Sequence, residues 1–289
     1  MCIEALLLLS FCVLDMFLFF CFFESILLPM YIIIGIWGSR KRKIKAAYYF
    51  VFYTIVTSIG FLFSLFIFLL DMGTTSSVGN FFYSFSLSKQ IILFLGFFVT
   101  FMNKVPTFPF YLWLPEAHVE APTAGSIILA ALLLKLGGYG IIRFLLPVTF
   151  SAVRYLIPFI FLFLLYSIFY CSITAIRTSD LKKIIAYSSV AHMNFSLFGL
   201  FSHSVQGLQG GLFLLLGHGL ISTALFFIVG LLYDRHHTRN IQYFGGLSQL
   251  MPIFSIFFFI FSLANMAFPL TFNFISEFLI LINIVSISF

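Results

Sequence analysis

The sequence predicts an all-α fold: a polytopic transmembrane helix bundle in which two of the helices are broken by proline. Three observations predict it. Of 289 residues, 62% are hydrophobic and only 8% charged, with a mean hydropathy of +1.15, whereas a soluble domain carries charge on about a quarter of its residues. The apolar residues fall into runs of about 20 or more, the length needed to cross roughly 30 Å of hydrocarbon. Two of those runs place proline beside ionisable residues, at Lys104, Pro106 and Pro109 and again at Pro269 and Glu277. Proline cannot donate to the helix ladder, so it breaks the helix at the depth of the charge and frees backbone carbonyls.

The same composition excludes other classes. The net charge of +6 does not point to nucleic acid, because the basic residues sit in short interhelical loops without forming a basic face. Cys2, Cys12, Cys21 and Cys171 show no CxxC or Cys/His ligand spacing, and no phosphate-binding glycine loop is present. The chain is therefore expected to hold no metal, redox centre or other cofactor of its own. Phe supplies 44 residues, a bias that fits an AT-rich genome as well as a packing need. The N-terminus begins Met-Cys-Ile-Glu without a basic stretch. No cleavable targeting segment is expected, and synthesis inside an organelle or a bacterium fits.

In chain order, the apolar run over residues 5–37 is too long for one helix, so it reads as the end of one span followed by a full span over 15–37. Further spans are expected at 46–70, at 89–113 with a break near Pro106, and at 122–146, 152–176, 182–201 and 207–233. The last run, 250–289, is again too long for one straight helix and is interrupted at Pro269. The longest soluble connection, 71–88, is rich in Gly, Ser and Thr and reads as a loop. Alternation of these spans puts Arg40, Lys41, Arg42, Lys43, Lys45, Arg177, Lys182, Lys183, Arg235 and Arg239 on one side, A, and only Lys89, Arg143 and Arg154 on the other, B. Ten against three makes side A the cytoplasm or matrix.

The remaining two basic residues, Lys104 and Lys135, lie at membrane depth, as do Glu24, His192, His218 and Glu277. A lysine at bilayer centre costs roughly 3 kcal/mol on insertion scales, so it needs a partner, water or a task. Snorkelling to the interface does not account for Glu24 or Lys135, each embedded in apolar sequence. His192 and His218 are open to two readings, hydrogen-bonded packing or proton carriage near pH 7. The glycines flanking His218 would admit water or a neighbouring helix. Glu116, His118 and Glu120, alternating in LPEAHVEAP, are expected in a solvated turn at the interface rather than around a metal. GGYG at residues 137–140 reads as close helix packing. A Glu24–Lys104 ion pair that forms and breaks would load and unload a proton, since a neighbouring carboxylate favours the charged lysine and desolvation opposes it. Broken helices lining the path are a feature of transporters built from repeated halves. The spacing specifies an ion or proton path without naming the ion.

The segment NKVPTFPFYLWLPEAHVEAPTAGSIILAALLLKLGGYGIIRF, with SDLKKIIAYSSVAHMNF, LLGHGLISTALFFIVG and LANMAFPLTFNFISEF, resembles the antiporter-like, proton-pumping subunits of respiratory complex I (NADH:ubiquinone oxidoreductase), in their mitochondrial subunit 4 form. The resemblance covers nearly the whole chain. It implies that Glu24 is the glutamate of the family's fifth helix, Lys104 the pumping lysine of the broken seventh, and Lys135 the lysine of the eighth. By the same resemblance His192 and His218 belong to the tenth and eleventh helices and Glu277 is the terminal acid of the broken twelfth. These groups would line a hydrated axis along the membrane plane, driven by ubiquinone reduction in other subunits. NADH, FMN, iron–sulfur clusters and ubiquinone would belong to those subunits.

The resemblance further implies one proton-translocating domain over 1–289, side A facing the matrix, and a multi-pass place in the mitochondrial inner membrane, organelle-encoded. The expected partners are other membrane-arm subunits, the neighbouring antiporter-like ones included, and lipids. The family has fourteen helices; this sequence begins inside the fourth and stops after the twelfth. A separate polypeptide would then supply the absent spans, unless reduction has removed them. A subunit of a multisubunit sodium/proton antiporter, which shares the motif, and a structural subunit that does not pump are the alternatives.

Overall fold

The computed structural model describes residues 1–76 and 85–288, the last two by backbone alone. Eleven helical elements carry the architecture, and among the described residues there is no strand, only two isolated bridges. Helix α1 (Cys2–Cys12) is followed by α2 (Met16–Trp37) and α3 (Lys43–Met72). The first broken helix consists of α4 (Leu87–Lys104) and α5 (Trp113–Glu120). Then come α6 (Thr123–Val148), α7 (Phe150–Arg177), α8 (Leu181–Phe201) and α9 (Val205–His236). The second broken helix consists of α10 (Pro252–Asn265) and α11 (Phe272–Ser288). Both breaks fall where the prolines predict them. Part of the expected loop, 77–84, lies outside the described residues; the flanking residue Asp71 is paired with Lys89 at 2.8 Å.

Helix ends follow from local chemistry. The Asp15 carboxylate accepts from the Phe17 N–H (2.9 Å) and from the Thr75 hydroxyl (2.6 Å), satisfying an orphan donor at the start of α2. Gly73, at φ 68°, closes α3 in the left-handed conformation open to glycine.

The burial of each span sets its place. In the most apolar window, α6, α8 and α9 bury 61, 67 and 61%, whereas α2 and α3 bury 33% and α7 only 22%. The three central helices are those carrying Lys135, His192 and His218. Part of the phenylalanine excess packs the bundle: Phe19, Phe61, Phe97, Phe101 and Phe144 are fully buried, with Phe19–Phe144 ring centroids at 4.8 Å and Phe61–Phe97 at 5.0 Å. Such pairs tie α2, α3, α4 and α6 together by dispersion, which drives association where lipid removes any hydrophobic difference. The expected packing role of residues 137–140 holds. A methyl group on Gly137 would lie 2.6 Å from Val105 Cγ2 and 3.2 Å from Lys104 Cβ, so α6 presses directly on the first break.

Candidate functional site

The first break spans the residues between α4 and α5, and its freed carbonyls find specific donors. The Met102 carbonyl accepts from the Thr107 N–H (3.0 Å) and hydroxyl (3.1 Å). The Asn103 carbonyl accepts from the Trp113 indole N–H (3.0 Å), and the Pro106 carbonyl from the Asn194 amide (2.9 Å). Asn103 Nδ2 donates to the Thr57 hydroxyl (3.0 Å) and Thr100 donates to the Thr57 carbonyl (2.6 Å), fixing the last turn of α4 against α3. The opened backbone is thus repaired by Thr107 within the break and by side chains from α5 and α8, as burial away from water demands.

Lys104 ends α4 and is 3% exposed. Its ammonium lies 4.0 Å from the centroid of Phe23 and makes no hydrogen bond. Two effects favour the cation here: the ring face and the negative end of the α4 dipole. The Glu24–Lys104 ion pair expected from the sequence is not formed. Among the described residues no carboxylate oxygen stands within 4.0 Å of Lys104, and Glu24 Oε1 is buried without a hydrogen-bond partner. The reason is geometric, since Phe23, the neighbour of Glu24 on α2, occupies the space over the ammonium.

The other four groups form a row. Lys135 Nζ donates to the Ala130 carbonyl (2.6 Å) and lies 3.0 Å from His218 Nδ1. Ala130 belongs to a π-helical stretch, Leu129–Leu133, whose wider turn presents this carbonyl five residues before the lysine. The rings of His218 and His192 are 6.0 Å apart, and His192 Nδ1 lies 3.0 Å from Glu277 Oε1. The glycine beside His218 admits the lysine, because a methyl group on Gly219 would sit 3.3 Å from Lys135 Cε. Donors and acceptors therefore succeed one another as Lys135, His218, His192 and Glu277, contributed by α6, α9, α8 and α11. With Lys135 protonated, His218 Nδ1 is its acceptor and the ring hydrogen sits on Nε2, which is buried without a hydrogen-bond partner.

The expectation for LPEAHVEAP is corrected in part. Glu116 does lie near solvent, 3.5 Å from Lys183. His118 and Glu120 do not: they are 0 and 2% exposed, on helix α5 rather than in a solvated turn. The His118 ring stacks on Phe226 (4.6 Å between centroids, 3° between planes), and neither ring nitrogen has a hydrogen-bond partner. It interacts electrostatically with Lys182 and Lys135. Lys182 and Arg239, counted as side A loop charges, are also buried, at 1 and 2%. Lys182 donates to the Ala121 carbonyl (3.0 Å), while Arg239 donates to the Val119 carbonyl and to the Ser39 hydroxyl (2.7 Å) and stacks over Tyr233. Both cations cap the C-terminal carbonyls of α5, groups that a helix end always leaves unpaired. The signal was available in the sequence: once Trp113 is read as the start of a second half-helix, its end at Glu120 requires cationic caps. Among the described residues no three His, Cys, Asp or Glu side chains group as a metal cage, and all four cysteines are free.

Two proline-broken helices in a membrane-spanning bundle, with a row of ionisable groups leading to the second of them, define an antiporter-like membrane subunit. The sequence matches the family described as NADH:quinone oxidoreductase/Mrp antiporter, TM, over residues 14–289, and the chain belongs to that family. It is 54% identical over 280 residues to NADH-ubiquinone oxidoreductase chain 4 of Marchantia polymorpha and 53% identical to that of Arabidopsis thaliana. Each alignment covers 97% of this chain and 57% of the relative. The chain thus spans little more than half the length of those relatives. Among solved structures, it superposes on a chain of respiratory complex I from Thermus thermophilus with bound NADH at a TM-score of 0.94. That match has 30% identity and covers 99% of this chain and 62% of the other. A chain of the Mrp complex from Dietzia sp. DQ12-45-1b shares the fold, with a TM-score of 0.89 at 20% identity, covering 99% of this chain and 54% of that one.

Proposed function

We propose that this chain is a proton-translocating subunit in the membrane arm of NADH:ubiquinone oxidoreductase, pumping protons across the mitochondrial inner membrane. Electron transfer from NADH to ubiquinone takes place in other subunits; this chain holds no cofactor. The row Lys135–His218–His192–Glu277 carries the reading, because each member both accepts and releases a proton and each is within bonding or ring-contact distance of the next. Lys104, held against Phe23 without a hydrogen bond, is the cation of the first break. Glu24, carrying a buried oxygen without a bond, is its acidic counterpart. Lys104 and Glu24 act on each other through space rather than by direct pairing. Residues 1–289 would act as one translocating domain. Other membrane-arm subunits, the adjacent antiporter-like ones among them, and helices on a separate polypeptide would complete the assembly, with lipid around it.

The likeness to the Mrp chain is one of fold, whereas the chain 4 relatives share about half of their aligned residues with this chain, which favours the complex I reading over sodium/proton exchange. Lys104→Met or Glu24→Ala, introduced into the intact complex, is expected to abolish pumping and slow quinone reduction while assembly persists. A normal proton-to-electron ratio in either variant would sink the reading. Sodium-dependent transport that needs no NADH would favour the antiporter instead.

A further inference from the structure

We propose that side B carries a binding site for one anionic phospholipid, its phosphate held between Arg154 and His203 and an acyl chain laid along Ile157 and Phe161. A cavity of about 370 Å³ opens there between the start of α7 and the connector after α8, lined by Phe150, Arg154, Ile157, Phe161, Ser202 and His203.

The wall of that cavity is built by sequence. Phe150, Arg154, Ile157 and Phe161 recur at helical spacing, so they form one stripe down a single face of α7. The stripe begins exposed at Phe150 and Arg154 and becomes half-buried at Ile157 and Phe161, running about 10 Å from the charge into the apolar layer. Phe161 is seated against Phe198 of α8 at 4.8 Å. A charge at the top of an apolar groove matches a molecule with a phosphate head and a hydrocarbon tail, and a free phosphate ion would leave the lower half unfilled.

The upper part is cationic and lacks a counter-charge. Among the described residues Arg154 has no ion pair, hydrogen bond or ring contact. The two acids at side B are engaged elsewhere: Asp71 with Lys89, and Asp15 with Thr75 and the start of α2. The undescribed stretch 77–84 contains no Asp or Glu. A guanidinium binds phosphate through paired N–H groups, so Arg154 is suited to it. His203 is held in place by a left-handed backbone (φ 54°) and an edge-on contact with Phe150 at 4.8 Å, and its Nε2 is buried without a partner. Burial, and then Arg154, keep its imidazole below the ordinary histidine value. At neutral pH His203 is therefore a neutral ring with one N–H to donate, and Arg154 supplies the charge.

The test uses the intact membrane complex with this chain as wild type, Arg154→Gln, Arg154→Lys or His203→Gln. Each is washed with phosphatidylcholine–detergent micelles, and the retained phospholipids are counted by mass spectrometry. Wild type is expected to keep one acidic phospholipid per copy that Arg154→Gln loses, with His203→Gln reduced and Arg154→Lys intermediate. Phosphatidylglycerol vesicles should raise the thermal stability of wild type but not of Arg154→Gln, and inorganic phosphate should not substitute for them. Because the Arg154 side chain is exposed, its loss leaves folding intact. A photoreactive phosphatidylglycerol should crosslink to 150–161 in wild type as a second readout. Equal lipid retention in wild type and Arg154→Gln, equal protection by inorganic phosphate, or a polypeptide segment filling the cavity in the assembled complex would each overturn the site. The outcome is independent of proton pumping, which Arg154→Gln should leave unchanged.

Discussion

Replacing Asn194 by leucine tests whether the first break is held in register by α8. The Asn194 amide donates to the Pro106 carbonyl at 2.9 Å and to Val190, one turn back in its own helix, at 2.7 Å. Val190 keeps its helix partner when the side chain is lost. Pro106 does not, because the residue three positions on is Pro109, which has no N–H. Leucine keeps the branched shape of the side chain at this fully buried position and leaves one carbonyl unsatisfied, at a cost of about 1–3 kcal/mol. That corresponds to roughly a 5- to 150-fold shift in the equilibrium between the held and released break. His192 lies half a turn from Asn194 on α8, so release would also disturb its pairing with Glu277. In the intact complex reconstituted into liposomes, Asn194→Leu should assemble normally yet move fewer protons per electron. Ser188→Ala serves as the control: it removes a 3.4 Å contact from Asn265 at the second break and a hydroxyl bond to the Ile185 carbonyl of its own helix, and should have little effect. An unchanged proton-to-electron ratio in Asn194→Leu, or an equal loss in Ser188→Ala, would refute the reasoning.

Two further outcomes follow from packing. Gly137→Ala would drive a methyl group to 2.6 Å from Val105 Cγ2, costing about 1–3 kcal/mol; quinone-linked pumping should fall with a modest loss in melting temperature, and a fully active variant would show that the break tolerates displacement. Arg239→Gln removes the buried cation shared by Val119 and Ser39 and, by leaving the Val119 carbonyl unsatisfied, should destabilise the complex by about 1–3 kcal/mol. Native gels should show reduced assembly, with the proton-to-electron ratio of the surviving complex unchanged; the reverse pattern would mean that Arg239 belongs to the proton path.

What the sequence determined by itself is the set of spans, both broken helices and the six membrane-depth ionisable groups. Hydrocarbon thickness dictates how long an apolar run must be, and proline removes a donor wherever it stands, so these features need no knowledge of neighbours. Tertiary structure alone decided which groups meet. Glu24 and Lys104 read as a natural pair, yet the Lys104 ammonium faces the Phe23 ring and makes no hydrogen bond, whereas His192 and Glu277, 85 residues apart, come within 3.0 Å. His118, Lys182 and Arg239 looked like loop residues because charge and proline mark a boundary without saying on which side of it a chain turns inward. Their burial follows from the end of α5, where unpaired carbonyls enclosed by α8 and the connector after α9 call for cations that only the folded bundle brings to them.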